Sequence, residues 1–206
     1  MKTYKILVIN PGSTSTKIAV YEGRNSVFLK TIRHSAEQLA RYDCVAAQYE
    51  FRKEMILSEL VQADIDIEHI DGVVGRGGLV KPIESGVYEV TEALKADLKK
   101  SELGEHASNL GGLIADDIAR SLPSARAFIA DPVVVDELMD EARITGLPDL
   151  PNRSIFHALN HKAVAKNYAK SVERPYEELN LIVAHLGGGI SVGAHRKGRI
   201  VDVNNA

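Results

Sequence analysis

Apolar and polar positions alternate from the start of the chain. Ile6–Asn10 and Lys17–Tyr21 are β-branched runs joined by a polar loop, and Ser26–Arg33 follows a turn at Glu22–Asn25. This predicts three strands in an antiparallel meander. The period then changes. Tyr49–Ala63 carries Phe51, Met55, Leu57 and Leu60 at helical spacing. His69–Val74 reads as a short buried strand emptying into Gly75, Arg76, Gly77 and Gly78, and Gly86–Val90 as another. Thr91 is placed to cap a helix from Glu92 to about Lys99, and Glu105–Arg120 predicts a longer one. Gly111 and Gly112 fall inside that second helix at a cost of about 1 kcal/mol each relative to Ala. They imply close packing or a ligand near the backbone. Ala125–Ile129 predicts a strand whose end delivers Asp131 and Pro132, and Asp136–Ala142 a helix. Ile155–Tyr168 is again on helical period. Strands follow at Leu181–His185, Ile190–Ala194 and Arg199–Val203, the first two separated by a glycine-rich turn. Gly146–Pro151 combines glycine, aspartate and two prolines and marks a boundary, giving domains 1–150 and 151–206.

The loop between the first two strands, Asn10 to Lys17, changes the picture from architecture to chemistry. Asn10 and the hydroxyls of Ser13, Thr14, Ser15 and Thr16 can accept from a hydrated metal or donate to phosphate oxygens, and Lys17 adds a cation. A polyphosphate–magnesium ligand needs such a set. The plain alternative is a surface turn rich in hydroxyls. The loop is not a Walker A loop, because it lacks the Gly-Lys-Ser/Thr ending and leads into a strand.

Composition bounds the partners. The net charge is −3, so no basic nucleic-acid face is expected. One cysteine excludes an intrachain disulfide framework and a clustered-thiolate zinc site. No apolar run approaches the ~20 residues of a membrane span, and a strand starts at Ile6, so the expectation is a cytoplasmic protein without membrane partners.

Four further positions carry candidate chemistry. Arg76 follows a buried strand among glycines, where a guanidinium can clamp carboxylate or phosphoryl oxygens; the alternative is an exposed turn arginine. Asp131 ends a strand, a place that also suits an ordinary aspartate. His157 and His161 lie four apart and share a helix face, but HALNH lacks the glutamate of a zinc protease. His185 directly precedes Leu186 and Gly187–Gly189, either as a site residue or as a buried core histidine.

Taken in order, NPGSTSTK at Asn10–Lys17, GRGG at Gly75–Gly78, FHALNHK at Phe156–Lys162 and AHLGGG at Ala184–Gly189 resemble the acetate and butyrate kinase family, within the sugar kinase and actin superfamily. Pro11, the Val74-Gly75-Arg76 stretch and the triple glycine favour the butyrate side of that family. The resemblance implies an α/β, actin-like (ribonuclease H-like) ATPase domain with a mixed sheet, plus the first strands of a second similar domain. It implies phosphoryl transfer between ATP and a short-chain carboxylate, giving acyl phosphate and ADP with magnesium. Asn10 would position the metal through its water shell. Ser13, Ser15 and Lys17 would line the phosphate region, with Gly187, Gly188 and Gly189 as a backbone cradle. Arg76, Asp131, His161 and His185 would be the catalytic residues, with His157 and Asn160 supporting and His106 and Asn109 bordering the acyl pocket. The alternatives are a non-catalytic nucleotide-binding module of the same superfamily, or an acetate or propionate kinase. Family members have two domains of similar size and are expected to form homo-oligomers. This chain matches the first domain and the entry strands of the second. The expectation is a fragment with weak nucleotide binding, little turnover and an exposed apolar surface prone to self-association.

Overall fold

The computed structural model describes residues 2–100, 104–187 and 189–205. The chain folds as two compact units, Met1–Val80 with Val87–Ala130, and Lys81–Gly86 with Asp131–Ala206.

The first unit is a six-stranded mixed sheet. β1 (Lys5–Pro11), β2 (Ser15–Glu22) and β3 (Asn25–Arg33) form the predicted meander. β4 (Gly72–Arg76) pairs parallel to β1, and β6 (Arg126–Ala130) pairs parallel to β4. β5 (Val87–Glu89) closes the edge antiparallel to β6, giving the order β3-β2-β1-β4-β6-β5. Three parallel strands therefore end at one edge, the usual place for a ligand in a sheet of this kind. The helices are α1 (Ala36–Leu39), α2 (Tyr49–Gln62), α3 (Glu92–Lys100) and α4 (Asn109–Arg120). Leu7, Ile9, Ile18, Val73 and Ile129 of the sheet share a core with Ile56 and Leu60 of α2 and Leu110, Ile114 and Ile118 of α4. Gly111 answers its sequence puzzle: a Cβ there or on Gly75 would strike the facing backbone, so the glycines let α4 lie directly on β4.

Three elements depart from the pattern reading. The buried line of α2 is Arg52, Ile56 and Leu60, one step round from Phe51 and Met55, because Arg52 is drawn inward by hydrogen bonds. α4 starts at Asn109 rather than Glu105, since His106 Nδ1 accepts the Ser108 N–H in place of a helical carbonyl. Asp136–Ala142 is not an α-helix. Asp136 accepts from the Leu138 N–H and holds the Arg143 guanidinium through both carboxylate oxygens, leaving only a short 3₁₀ turn at Asp140–Arg143.

In the second unit, β7 (Asn180–Leu186), β8 (Ile190–Arg196) and β9 (Arg199–Asn205) form an antiparallel meander. α5 (Ala158–Ser171) covers one face, with Ala165 and Ala169 packed near Val183, Leu179 and Tyr176. Ile182, Leu186, Ile190 and Val192 remain exposed on the alternate positions of β7 and β8. A buried Glu137–Lys162 pair, Nζ to Oε2 2.8 Å, ties this unit to the 81–86 segment through Ser85, whose Oγ donates to Glu137 Oε1 at 2.5 Å. Glu137 Oε2 also accepts the Ile200 N–H at 2.7 Å. Burial pushes this carboxyl upward, but the bonds from Lys162, Ser85 and Ile200 outweigh it and hold it below the ordinary range. Among the described residues no helix is long and apolar enough to cross a membrane.

Candidate active site

Each unit carries part of the predicted constellation. In the first unit Asn10 of β1 and Lys17 of β2 are direct cross-strand partners, so their side chains rise from the same face of the sheet, about 5 Å apart at Cβ. Asn10 is half-buried and Lys17 exposed. The intervening loop is closed by the Gly12 N–H donating to Ser15 O at 2.7 Å, with Ser13 exposed and Ser15 half-buried.

What holds that loop is a residue the sequence reading missed. Arg52, 1% exposed, donates Nη1 to Gly12 O at 2.9 Å and to Thr16 Oγ1 at 3.1 Å, and Nη2 to Ser13 O at 3.1 Å. Gln48 Oε1 receives Nε and Nη2 at 3.0 and 2.8 Å. None of these acceptors is a carboxylate. The guanidinium pulls loop carbonyls inward and places an uncompensated positive charge beneath the loop, which suits an anion above it. His34 completes the cluster, its Nε2 2.9 Å from Thr16 Oγ1. Burial, reinforced by Arg52, lowers the His34 pKa to about 4. An arginine within a helix reads as a solvent-facing residue, and the one cue was its step of four from Gln48.

Arg76 ends β4 half-buried, and burial lowers its pKa. Among the described residues no hydrogen bond or ion pair engages its guanidinium. A cation in that condition is available to an anionic ligand. His106 lies near enough for Arg76 to lower the imidazole pKa further, after burial, and its Nδ1 is 2.6 Å from Ser108 Oγ. Asn109 has a structural task, its Oδ1 accepting the Leu79 N–H at 2.8 Å. Both line a cavity of about 560 Å³ with Leu98, Leu110 and Leu113.

In the second unit Asp131 adopts φ 35°, a left-handed conformation rare outside glycine. A reciprocal clasp holds it: Gly86 N–H donates to Oδ1 at 2.8 Å, and the Asp131 N–H donates to Gly86 O at 2.9 Å. Burial raises its carboxyl pKa.

The histidines form one group because two periods meet. The i, i+4 spacing of α5 directs His157, its N-cap, and His161 toward the face of β8 that carries Ser191, Gly193 and His195. Ser191 Oγ lies 2.8 Å from His157 Nδ1 and 3.0 Å from His161 Nε2. A Cβ on Gly193 would come within 2.9 Å of His161 Nδ1, so glycine makes room for that ring. His161 is 0% exposed with both nitrogens engaged inside the unit. The resemblance implies a catalytic His161, and the structure places that ring between Ser191 and His195. His157 and His185 are half-buried and stack at 3.8 Å, with 7° between their planes. Asn160 Nδ2 lies 2.9 Å from His185 Nδ1. A Cβ on Gly187 would lie 3.3 Å from His185 Nε2, and one on Gly189 3.2 Å from His157 Nε2. Gly187 and Gly189 thus abut the Nε2 edges of His185 and His157 respectively. Gly188 lies outside the described residues.

Among the described residues no group of three His, Cys, Asp or Glu side chains is placed to hold a metal. Asn10 with the loop hydroxyls is a hard-oxygen set. It fits a magnesium ion that keeps its waters and binds mainly through nucleotide phosphates.

The Acetokinase family model matches residues 152–205. Butyrate kinase 2 of Clostridium acetobutylicum is 58% identical over 203 residues, 98% of this chain and 57% of the relative. Butyrate kinase 1 of the same organism is 54% identical over 98% of this chain and 57% of its own length. The chain thus spans little more than half the length of the curated relatives it matches. Among solved structures, Porphyromonas gingivalis acetate kinase superposes with TM-score 0.73 at 20% identity, covering 98% of this chain and 57% of that one. A propionate kinase from Francisella tularensis gives 0.69 at 18%, with the same coverage of 98% and 57%. The fold is therefore that of the corresponding part of the acetate kinases, an actin-like ATPase fold with a mixed sheet.

Proposed function

We propose that the chain belongs to the acetokinase family and works as part of a butyrate kinase, moving a phosphoryl group between ATP and a short-chain carboxylate. The observation that carries this reading is 58% identity to a butyrate kinase across 98% of the chain. The geometry supports roles for particular residues. A carboxylate oxygen attacks the γ-phosphorus in line. The new O–P bond forms as the bond to the β,γ-bridging oxygen breaks, and ADP leaves. The carboxylate is already ionised at neutral pH, so no general base is required. Arg76 clamps the carboxylate or the equatorial phosphoryl oxygens. The Nε2 edges of His157 and His185 supply donors to phosphoryl oxygens, and Gly187 and Gly189 beside them leave room for phosphate. Ser13, Ser15 and Lys17 hold the phosphate chain. Asn10 would hold a hydrated magnesium ion bound with nucleotide, and the ion would supply neutralisation of phosphate charge. Asp131 stands in its clasp as an acidic group orienting the array. His161 is a positioning residue in this scheme.

The test is hydroxamate detection of acyl phosphate from magnesium–ATP with acetate, propionate, butyrate or isobutyrate, using the gene-encoded protein beside the 206-residue chain. The expected result is a maximum at a four-carbon acid in the gene-encoded protein. Arg76→Ala should lower kcat by about 10²–10³, the scale for losing one group that stabilises developing charge. Nucleotide binding without acyl phosphate from any acid would overturn the reading in favour of a non-catalytic nucleotide-binding module.

A further inference from the structure

Beyond the rings at the glycine turn, the second unit contains hydrogen-bonding groups that the proposed chemistry leaves unused. Tyr176, 5% exposed, places its hydroxyl 2.7 Å from His195 Nδ1. His195, 2% exposed, sets Nε2 3.4 Å from His161 Nδ1, and the two rings lie 14° from parallel. His161 Nε2 continues to Ser191 Oγ at 3.0 Å, and Ser191 Oγ to His157 Nδ1 at 2.8 Å. These groups form a continuous line from an enclosed phenol to a half-buried imidazole.

Such a line has a direction. A neutral imidazole offers one donor and one acceptor, and a hydroxyl has one proton. Burial lowers the pKa of His161, and that of His195 to about 4, so both rings are neutral at pH 7. Besides an arrangement in which Ser191 Oγ accepts from both His161 and His157 and its own proton has no acceptor among the described residues, two satisfy every link. In one, Tyr176 donates to His195 Nδ1, each inner ring donates from Nε2, and Ser191 donates to His157 Nδ1. In the other every bond is reversed, and the Tyr176 proton has no acceptor among the described residues. An enclosed donor left without a partner is costly, and the first arrangement leaves none. Ser191 Oγ is satisfied in both directions, accepting twice, once from the His157 backbone N–H at 3.4 Å, and donating once, so the Tyr176 end decides.

We propose that Tyr176, His195, His161 and Ser191 form a one-way hydrogen-bond chain that fixes the proton of His157 on Nε2, the edge facing the glycine turn. The four are positioning residues. They act through His157, whose neutral ring has two possible tautomers. The use of that proton toward phosphoryl oxygens rests on the function proposed above; the tautomer itself does not.

Long-range ¹H–¹⁵N spectra of the ¹⁵N-labelled protein at pH 7.5, assigned through single His→Gln variants, read the tautomers directly. The expected spectrum has His157, His161 and His195 all protonated on Nε2. Ser191→Ala should bring a second His157 population protonated on Nδ1 while leaving His195 unchanged, and Tyr176→Phe should disturb all three rings. His157 protonated on Nδ1 in the unsubstituted protein would overturn the proposal, whatever the stability of the variants. So would a His157 ring indifferent to both substitutions. Absence of acyl phosphate formation with the Nε2 pattern intact would overturn the function and leave the chain standing.

Discussion

Arg52 shows how much one enclosed side chain can decide. Its guanidinium serves five protein acceptors at the candidate phosphate loop, at 2.8–3.5 Å. Arg52→Met keeps much of the volume but strands those acceptors. The expected loss is about 3 kcal/mol in urea unfolding, since each enclosed polar group left unpaired costs about 1–3 kcal/mol. Nucleotide affinity should fall with it. Lys17→Ala should weaken nucleotide binding with little change in stability, because Lys17 is exposed. The enclosed histidines set the pH response. His34 and His195 have folded pKa values of about 4 against an ordinary 6.5, so the unfolded chain binds protons that the folded one does not. Their contribution to stability is complete above pH 6.5 and is lost as pH falls toward 4. The slope is about 1.4 kcal/mol per pH unit for each group. Urea midpoints at pH 7.5 and 5.5, above the carboxylate range, should show the decline. A flat profile would contradict it. At this scale the sequence showed which residue types have the chemistry to meet phosphate, but not which are enclosed. His157 and His161 are indistinguishable by spacing, and Gly193 on a distant strand decides that His161 is the one shut in.

At the scale of elements, the contact of α4 with β4 is the tightest point of the first unit. A Cβ on Gly75 would fall on the backbone of Gly111 and Gly112, where neither strand nor helix can yield easily. Gly75→Ala is therefore expected to cost at least about 3 kcal/mol, the upper range for overpacking, and to broaden or abolish the unfolding transition seen by circular dichroism. Most elements were legible from pattern. The β1–loop–β2 hairpin follows from alternation with turn residues, and β8 from the same period. The elements that were not legible share a cause. Asp136 and His106 use side chains to satisfy nearby backbone or neighbouring groups, and this local bonding displaces the helix that the apolar spacing suggested.

At the scale of the whole molecule, the second unit depends on a segment remote in sequence. Glu137 joins Ser85, Lys162 and the Ile200 N–H in one enclosed cluster. Glu137→Gln leaves the Lys162 ammonium without its countercharge, and a loss of about 3–5 kcal/mol in urea unfolding is expected. Pairing Glu137→Leu with Lys162→Met should recover only part of the stability, because Ser85 and Ile200 keep donors without an acceptor. The exposed Ile182, Leu186, Ile190 and Val192 make a second expectation. Ile182→Lys with Leu186→Glu should reduce self-association of the 206-residue chain in sedimentation, and an unchanged profile would remove this face from the account. The sequence by itself determined the elements with clear periods, the polar loop at Asn10–Lys17 and the residue types able to meet phosphate, because local spacing and side-chain chemistry are properties of short segments. Only the tertiary structure decided the parallel entry of β4 beside β1 and of β6 beside β4, the inward turn of Arg52, the stacking of His157 on His185 and the enclosure of His161. Each depends on which distant residue occupies the neighbouring space and on which polar atoms must find a partner once water is excluded.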